Sequence, residues 1–198
     1  DNTGWAVGRA GQILKTTDGG TSWLNQTSGV TTDFQSVHFI DLNTGWVVGS
    51  SGLILKTMDA GTSWSSQTSG ITTNLNAAYF IDGLTGWVVG LSGKILKTTD
   101  GGASWFSQTS GVTVLLRSVY FVDSNTGFAV GSSGKVLKTT NGGTNWSNQT
   151  IGTTTIIYYS VQFANSTTGW VVGSSGRIYT TTNAGTTWSQ QTSATASA

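Results

Sequence analysis

The phrase Thr-Gly-Trp begins at Thr3, Thr44 and Thr85, recurs as Thr126-Gly127-Phe128 and returns at Thr168. The chain therefore repeats itself at offsets of 41, 41, 41 and 42 residues. A fixed period of this size dictates architecture, because each repeat is one supersecondary unit that buries its apolar face only by stacking on a neighbour. A second mark keeps the same register: Thr17-Asp18-Gly19-Gly20-Thr21-Ser22-Trp23 has equivalents ending at Trp64, Trp105, Trp146 and Trp188. The single extra residue falls within Thr153 to Tyr159.

Each full repeat holds three clear strand candidates. Ser36 to Ile40 alternates and is rich in β-formers, Gly45 to Gly49 is a continuous apolar run, and Leu53 to Thr57 follows a Gly- and Ser-rich turn. A fourth, polar strand is expected around Ser65 to Ser69, at the solvent-facing edge. Four short strands per repeat without helical periodicity predict an all-β fold, a β-propeller of five tandem blades. The repeats run at about 1–35, 36–76, 77–117, 118–159 and 160–198 in a single domain. A β-solenoid is the structural competitor.

Only four inner strands are present, at Ser36 to Ile40, Ala77 to Ile81, Ser118 to Val122 and Ser160 to Ala164, so the first blade lacks one. The tail from Ser189 to Ala198 has no matching sequence. Three explanations stand open: the ring closes on a three-stranded blade, the chain is a segment of a larger propeller, or a neighbour supplies the strand. An unpaired strand edge invites pairing, which makes self-association one expectation.

The run from Thr44 to Trp64, TGWVVGSSGLILKTMDAGTSW, and its copies resemble the repeats of the YCF48-like family of Asp-box (BNR-type) propellers, across essentially the whole chain. The resemblance implies a propeller fold and relatives among photosystem II assembly factors and secreted bacterial repeat proteins. Sialidases and sortilin-type receptors share the Asp-box more distantly. The blade motif is specific, whereas the function attached to it is not.

The Asp-box has the mechanics of a hairpin turn. Asp accepts hydrogen bonds from turn amides, Gly supplies backbone freedom, and the Trp is expected to bury a large ring between strands. Its acidic position reads Asp18, Asp59, Asp100, Asn141 and Asn183, and its aromatic position Trp23, Trp64, Trp105, Trp146 and Trp188. An amide replaces the carboxylate twice, so the position requires an acceptor and not a charge. Calcium would need several oxygens converging on one ion, whereas these belong to turns in five different blades, and no metal or cofactor is expected. The first aromatic of each repeat, Trp5, Trp46, Trp87, Phe128 and Trp170, is expected between blades.

The composition excludes several chemistries. The sequence has no Glu and no Cys, its charged fraction is 9%, and its formal net charge is +1. Lys and Arg are distributed through the repeats, so no clustered cation surface points to nucleic acid or to an anionic membrane. No apolar run is long enough to insert as a membrane helix. A sialidase mechanism needs Glu beside its tyrosine; Arg9, Arg117 and Arg177 alone do not assemble it. Asp41, Asp82 and Asp123 repeat at one blade position, with Asp1 aligned to them, and read as structural; Asp33 is the one acid left over. His38 stands where other blades have Tyr79, Tyr120 and Gln162, a tolerant position. The chain is not expected to be an enzyme.

Within-chain variation marks a candidate partner surface. Before each inner strand, one apolar position holds Phe34, Leu75, Leu116 and Tyr158, while its flanks change character between blades. Blades four and five there present Leu115, Leu116, Arg117, Ile156, Ile157, Tyr158 and Tyr159 in expected exposed or half-exposed loops. Such a patch has the composition of a protein-binding surface. The alternative is that the extra residue of blade five repacks its loop inward. Aromatic rings and amides between blades also suit a glycan, which a glycan array tests. The polar, cysteine-free composition and the family resemblance favour an extracellular, cell-surface or periplasmic location, or the thylakoid lumen in a photosynthetic source.

Overall fold

The structure is a computed structural model and describes residues 2–149 and 151–193. Asp1 and the end of the tail, residues 194–198, lie outside the described residues, as does the expected role of Asp1. Strands form wherever β-branched and aromatic residues alternate or run together, and they stop at Gly-rich turns. The first sheet contains β1 (Gly4–Val7), β2 (Ile13–Thr16) and β3 (Leu24–Gln26). The second contains β4 (Phe34–Phe39), β5 (Gly45–Gly49), β6 (Ile54–Thr57) and β7 (Ser65–Gln67). The third contains β8 (Leu75–Phe80), β9 (Gly86–Gly90), β10 (Ile95–Thr98) and β11 (Phe106–Gln108). The fourth contains β12 (Leu116–Phe121), β13 (Gly127–Gly131), β14 (Val136–Thr139) and β15 (Ser147–Gln149). The fifth contains β16 (Tyr158–Phe163), β17 (Gly169–Gly173), β18 (Ile178–Thr181) and β19 (Ser189–Gln191).

In every sheet the strands lie side by side in chain order. The fold is an all-β propeller, and the described residues form five blades, the first with three strands and no inner strand among the described residues. The contact pattern divides the chain into two compact units. Residues up to Val88 with Leu96–Phe106 form one, and Val89–Ile95 with the residues from Ser107 onward form the other. No helix among the described residues is long and apolar enough to cross a membrane.

The inner strands start two residues earlier than the sequence pattern implies. The cause is a β-bulge: register slips between Phe34 and Ser36, between Leu116 and Ser118, and between Tyr158 and Ser160. Ahead of each bulge, Phe34 faces Gly49, Leu116 faces Gly131 and Tyr158 faces Gly173. A side chain on Gly131 would collide with the carbonyl of Leu115, so this close approach requires glycine. The outer strands are three residues long and mostly exposed.

Aromatic stacking joins successive sheets within each unit. Trp5 lies on Phe39 and Trp46 on Phe80, each pair with ring centroids 3.6 Å apart, and Phe128 lies on Phe163 at 4.5 Å. The Asp-box tryptophans meet the same phenylalanines edge-on: Trp64 against Phe39, Trp105 against Phe80, Trp146 against Phe121 and Trp188 against Phe163. Trp46, Trp87 and Phe128 are fully buried. Two positions depart from the sequence expectation. Trp170 is 40% exposed because no ring of a following sheet covers it among the described residues, and Trp23 is 42% exposed because its own sheet has no inner-strand phenylalanine.

Candidate binding surface

A bulge re-aims the side chain of its extra residue away from the regular ladder. In the fourth and fifth sheets the bulged residues are Arg117 and Tyr159. Their strands are tied together at this end: the Ser118 hydroxyl accepts the Val161 N–H at 3.3 Å, and the Tyr120 hydroxyl donates to the Phe163 carbonyl at 2.9 Å. On this support the Arg117 guanidinium lies 5.6 Å from the centroid of the Tyr159 ring, within cation–π range. The Arg117 Nε is buried without a hydrogen-bond partner, while Tyr159 is 51% exposed.

The rest of the sequence-derived patch divides. Leu116, Ile156 and Tyr158 are buried and correct the expectation of exposed loops. Leu116 and Tyr158 belong to the strands ahead of the bulges. Ile156 is pulled in because the Gly134 N–H donates to its carbonyl at 2.7 Å, the same bond that Gly93 makes to Val114. The Tyr158 hydroxyl donates to the Ile151 carbonyl at 2.8 Å, and burial pushes that hydroxyl's pKa up. The extra residue is taken up in the exposed turn at Thr153 to Thr155. Leu115 and Ile157 stay half-buried. Their equivalents Asp33 and Asn74 accept the backbone N–H groups of Ala10 and Ser51, a cap that an aliphatic side chain cannot supply.

The carboxylates are occupied by turns. The Asp59 Oδ1 accepts from the Thr57 hydroxyl and from the Ser63 N–H, and its Oδ2 from the Ser63 hydroxyl. These bonds, led by the Ser63 hydroxyl, hold the Asp59 pKa at about 2, and the Ser22 hydroxyl does the same for Asp18. Asp100 is lowered by its turn as well, chiefly by the Ser104 N–H. Asn141 and Asn183 accept the corresponding bonds through Oδ1. Asp41, Asp82 and Asp123 each accept two successive turn amides through Oδ1, and Asn165 does so in the fifth blade. Among the described residues no three potential ligands cluster to hold a metal.

Two inter-sheet devices escaped the sequence reading. His38 Nε2 lies 3.0 Å from the Phe80 carbonyl, which requires the proton on Nε2. Burial lowers the pKa of this imidazole, so it is a structural donor like Tyr120. The column His38, Tyr79, Tyr120, Gln162 is uniform in one respect that was legible: every member can donate a hydrogen bond. The lysines also follow the period, at Lys15, Lys56, Lys97 and Lys138. Lys15, Lys56 and Lys138 donate to the carbonyls of Ala60, Gly101 and Ala184 in the Asp-box turn of another sheet, and each ammonium sits over the aromatic ring of its own sheet.

Comparison with known families adds one finding. The family described as Photosynthesis system II assembly factor YCF48 matches residues 1–72 and 110–196. The chain belongs to the YCF48 family. Solved YCF48 structures share its fold. One described as YCF48 bound to D1 peptide matches at 20% identity and a TM-score of 0.52, over 95% of this chain and 76% of that one. YCF48 from Cyanidioschyzon merolae matches at 19% identity and a TM-score of 0.64, over 96% of this chain and 81% of that one. The fold extends beyond YCF48: a GH74 enzyme of Niastella koreensis matches at 17% identity and a TM-score of 0.80, over 96% of this chain but 35% of the enzyme. No curated protein matches the sequence.

Proposed function

We propose that this chain is a non-enzymatic, protein-binding propeller that holds a peptide at the bulged ends of its fourth and fifth inner strands. The observation that carries the reading is the Arg117–Tyr159 pair, a buried guanidinium Nε without a partner beside a half-exposed ring. Arginine is always charged and offers a planar fork to a carboxylate, while a tyrosine face covers apolar atoms at low entropic cost. Leu115 and Ile157, two positions before each member of the pair, are half-buried, and Leu116, Ile156 and Tyr158 are buried. A family relative solved with a D1 peptide supports a polypeptide ligand.

A non-enzymatic role is supported by the engagement of the Asp-box and Asx-turn acids in backbone hydrogen bonds and by His38 serving as a neutral donor. The likeness to a GH74 enzyme is one of fold alone. Titration of a D1 peptide against the wild type and the Arg117→Ala and Tyr159→Ala variants tests the proposal. Weakened binding with unchanged unfolding midpoints is expected, and unaltered binding in both variants overturns it.

A photosystem II assembly role is the second reading, favoured by family membership. Both readings set the protein outside the cytoplasm, in the thylakoid lumen for a photosynthetic source, and fractionation tests that. Residues 1–198 act in this reading as a single domain with one cooperative unfolding transition.

A further inference from the structure

The turns β1–β2, β5–β6, β9–β10 and β13–β14 each hold one non-glycine residue in the left-handed region: Ala10, Ser51, Ser92 and Ser133, with φ from 54° to 58°. In the first two turns the N–H of that residue is capped by a side chain ahead of the next inner strand. Ala10 donates to the Asp33 Oδ1 at 2.8 Å and Ser51 to the Asn74 Oδ1 at 3.0 Å. At the next two turns the capping column reads Leu115 and Ile157, which hold no side-chain acceptor, and Ser92 and Ser133 are exposed. The entry loops stay docked although the cap is gone: the Gly93 N–H donates to the Val114 carbonyl and the Gly134 N–H to the Ile156 carbonyl, both at 2.7 Å.

A second column changes together with the first. Two residues after the left-handed position stand Gln12 and Leu53 in the capped turns, but Lys94 and Lys135 in the uncapped ones. The surrounding unit is rich in cations: residues 89–95 and 107–198 hold Lys94, Arg117, Lys135, Lys138 and Arg177 against a single acid, Asp123. Asp123 accepts the Asn125 and Thr126 N–H groups in the β12–β13 turn, at the opposite end of β13 from Lys135, and Lys138 donates to the Ala184 carbonyl. The Asp-box positions of this unit are Asn141 and Asn183, which keep the turn bonds without the charge.

We infer that the β9–β10 and β13–β14 turns are two carboxylate sites, each made of an uncapped backbone N–H and a lysine, and that they take the Asp or Glu side chains of an acidic partner segment. Backbone N–H groups in turns of this conformation form anion-binding concavities, and the Asp33 carboxylate on the Ala10 N–H shows the bond inside the same chain. The lysine adds a charge that suits a carboxylate and that the amide cap of Asn74 does not need. The occupant rests on the peptide-binding reading above, to which it adds the peptide's charge; the sites themselves use neither Arg117 nor Tyr159. Beside the first site an open groove, lined by Ser92, Gly93 and Lys94 on one side and residues 107–113 on the other, gives room for an extended segment. A polypeptide fits better than a phosphate polymer. Two lysines are few for a chain of phosphates, and the half-buried Leu115 and Ile157 offer apolar contact to side-chain methylenes.

The test follows the anisotropy of a fluorescein-labelled oligo-aspartate peptide, and of its oligo-asparagine counterpart, against the full chain. Saturable binding of oligo-aspartate that weakens with added salt is expected, and none of oligo-asparagine. Lys94→Gln with Lys135→Leu installs the residues of the capped turns and should weaken binding by about tenfold or more, the loss of charge-assisted bonds. Leu115→Asn with Ile157→Asn restores the cap seen at Ser51 without changing the net charge. It should weaken binding as much, with an unfolding midpoint no lower than that of the wild type. Tyr159→Ala should keep oligo-aspartate while losing the D1 peptide, so failure of one reading is told from failure of the other. The inference is overturned if oligo-aspartate fails to bind, if the asparagine pair binds it as the wild type does, or if a DNA oligonucleotide of equal charge binds more tightly. Salt-sensitive dimers that the lysine pair disperses would also overturn it, because the occupant would then be a second copy.

Discussion

The indole of Trp46 lies flat on the ring of Phe80, with centroids 3.6 Å apart and planes 8° from parallel. Trp105 closes the other side of that phenylalanine edge-on at 5.9 Å, and the Trp46 Nε1–H reaches the Gly101 carbonyl at 3.2 Å. One ring thus joins the second sheet to the third. Removing it by Phe80→Ala opens a cavity with apolar walls and should destabilise the fold by about 3–5 kcal/mol, as for other buried aromatics. Urea unfolding followed by tryptophan fluorescence measures the loss directly.

The Asp-box carries a second prediction, which turns on its first threonine. Thr57 is buried; its hydroxyl donates to Asp59 at 2.8 Å and accepts the Gly61 N–H at 2.9 Å. Thr57→Val keeps the shape and strands a buried N–H, a change that costs about 1–3 kcal/mol. Asp59→Asn should be far milder, because Asn141 and Asn183 accept the same bonds in their own blades. Differential scanning calorimetry should therefore rank Thr57→Val well below Asp59→Asn in unfolding temperature.

The 41-residue period made the blades and the Asp-box legible, because both depend on residue types recurring in one register. The inner strands were misplaced by two residues because a bulge inserts one unpaired residue, and alternation over Ser36 to Ile40 carries no trace of Phe34 beyond it. The same bulge explains the candidate surface. Leu116 and Tyr158 looked like loop residues but pair with glycines inside the ladder, while Arg117 and Tyr159 are turned outward. Sequence variation at one position marks a change of environment without telling which neighbour points inward.

A third prediction concerns the loop that absorbs the extra residue. The Tyr158 hydroxyl is the donor to the Ile151 carbonyl in a buried setting beside Tyr179, whose ring lies 6.0 Å away nearly at right angles. Tyr158→Phe removes that donor without changing ring volume and leaves a carbonyl unsatisfied. The expected loss is about 1–2 kcal/mol, the cost of one orphaned buried acceptor. Hydrogen exchange should show the change concentrated in residues 151–158, and equal protection in both proteins would contradict the assignment.

The last prediction is the pH dependence of stability. Burial lowers the His38 pKa below its ordinary 6.5, so below that pH the unfolded chain takes up a proton that the folded imidazole refuses. Stability therefore starts to fall as the pH drops through 6.5. Turn hydrogen bonds hold Asp18 and Asp59 at about 2 against an ordinary 3.8, so these carboxylates stabilise the fold above 3.8, and the contribution is lost as the pH falls from there to about 2. Two segments of acid sensitivity result, and each has its own variant. His38→Tyr should erase the upper one, because tyrosine makes the equivalent bond in the fourth sheet and carries no proton equilibrium in this range. Asp18→Asn with Asp59→Asn should shrink the lower one and leave the upper unchanged. Unfolding midpoints in urea, taken across the acid range for wild type and both variants, separate the two contributions.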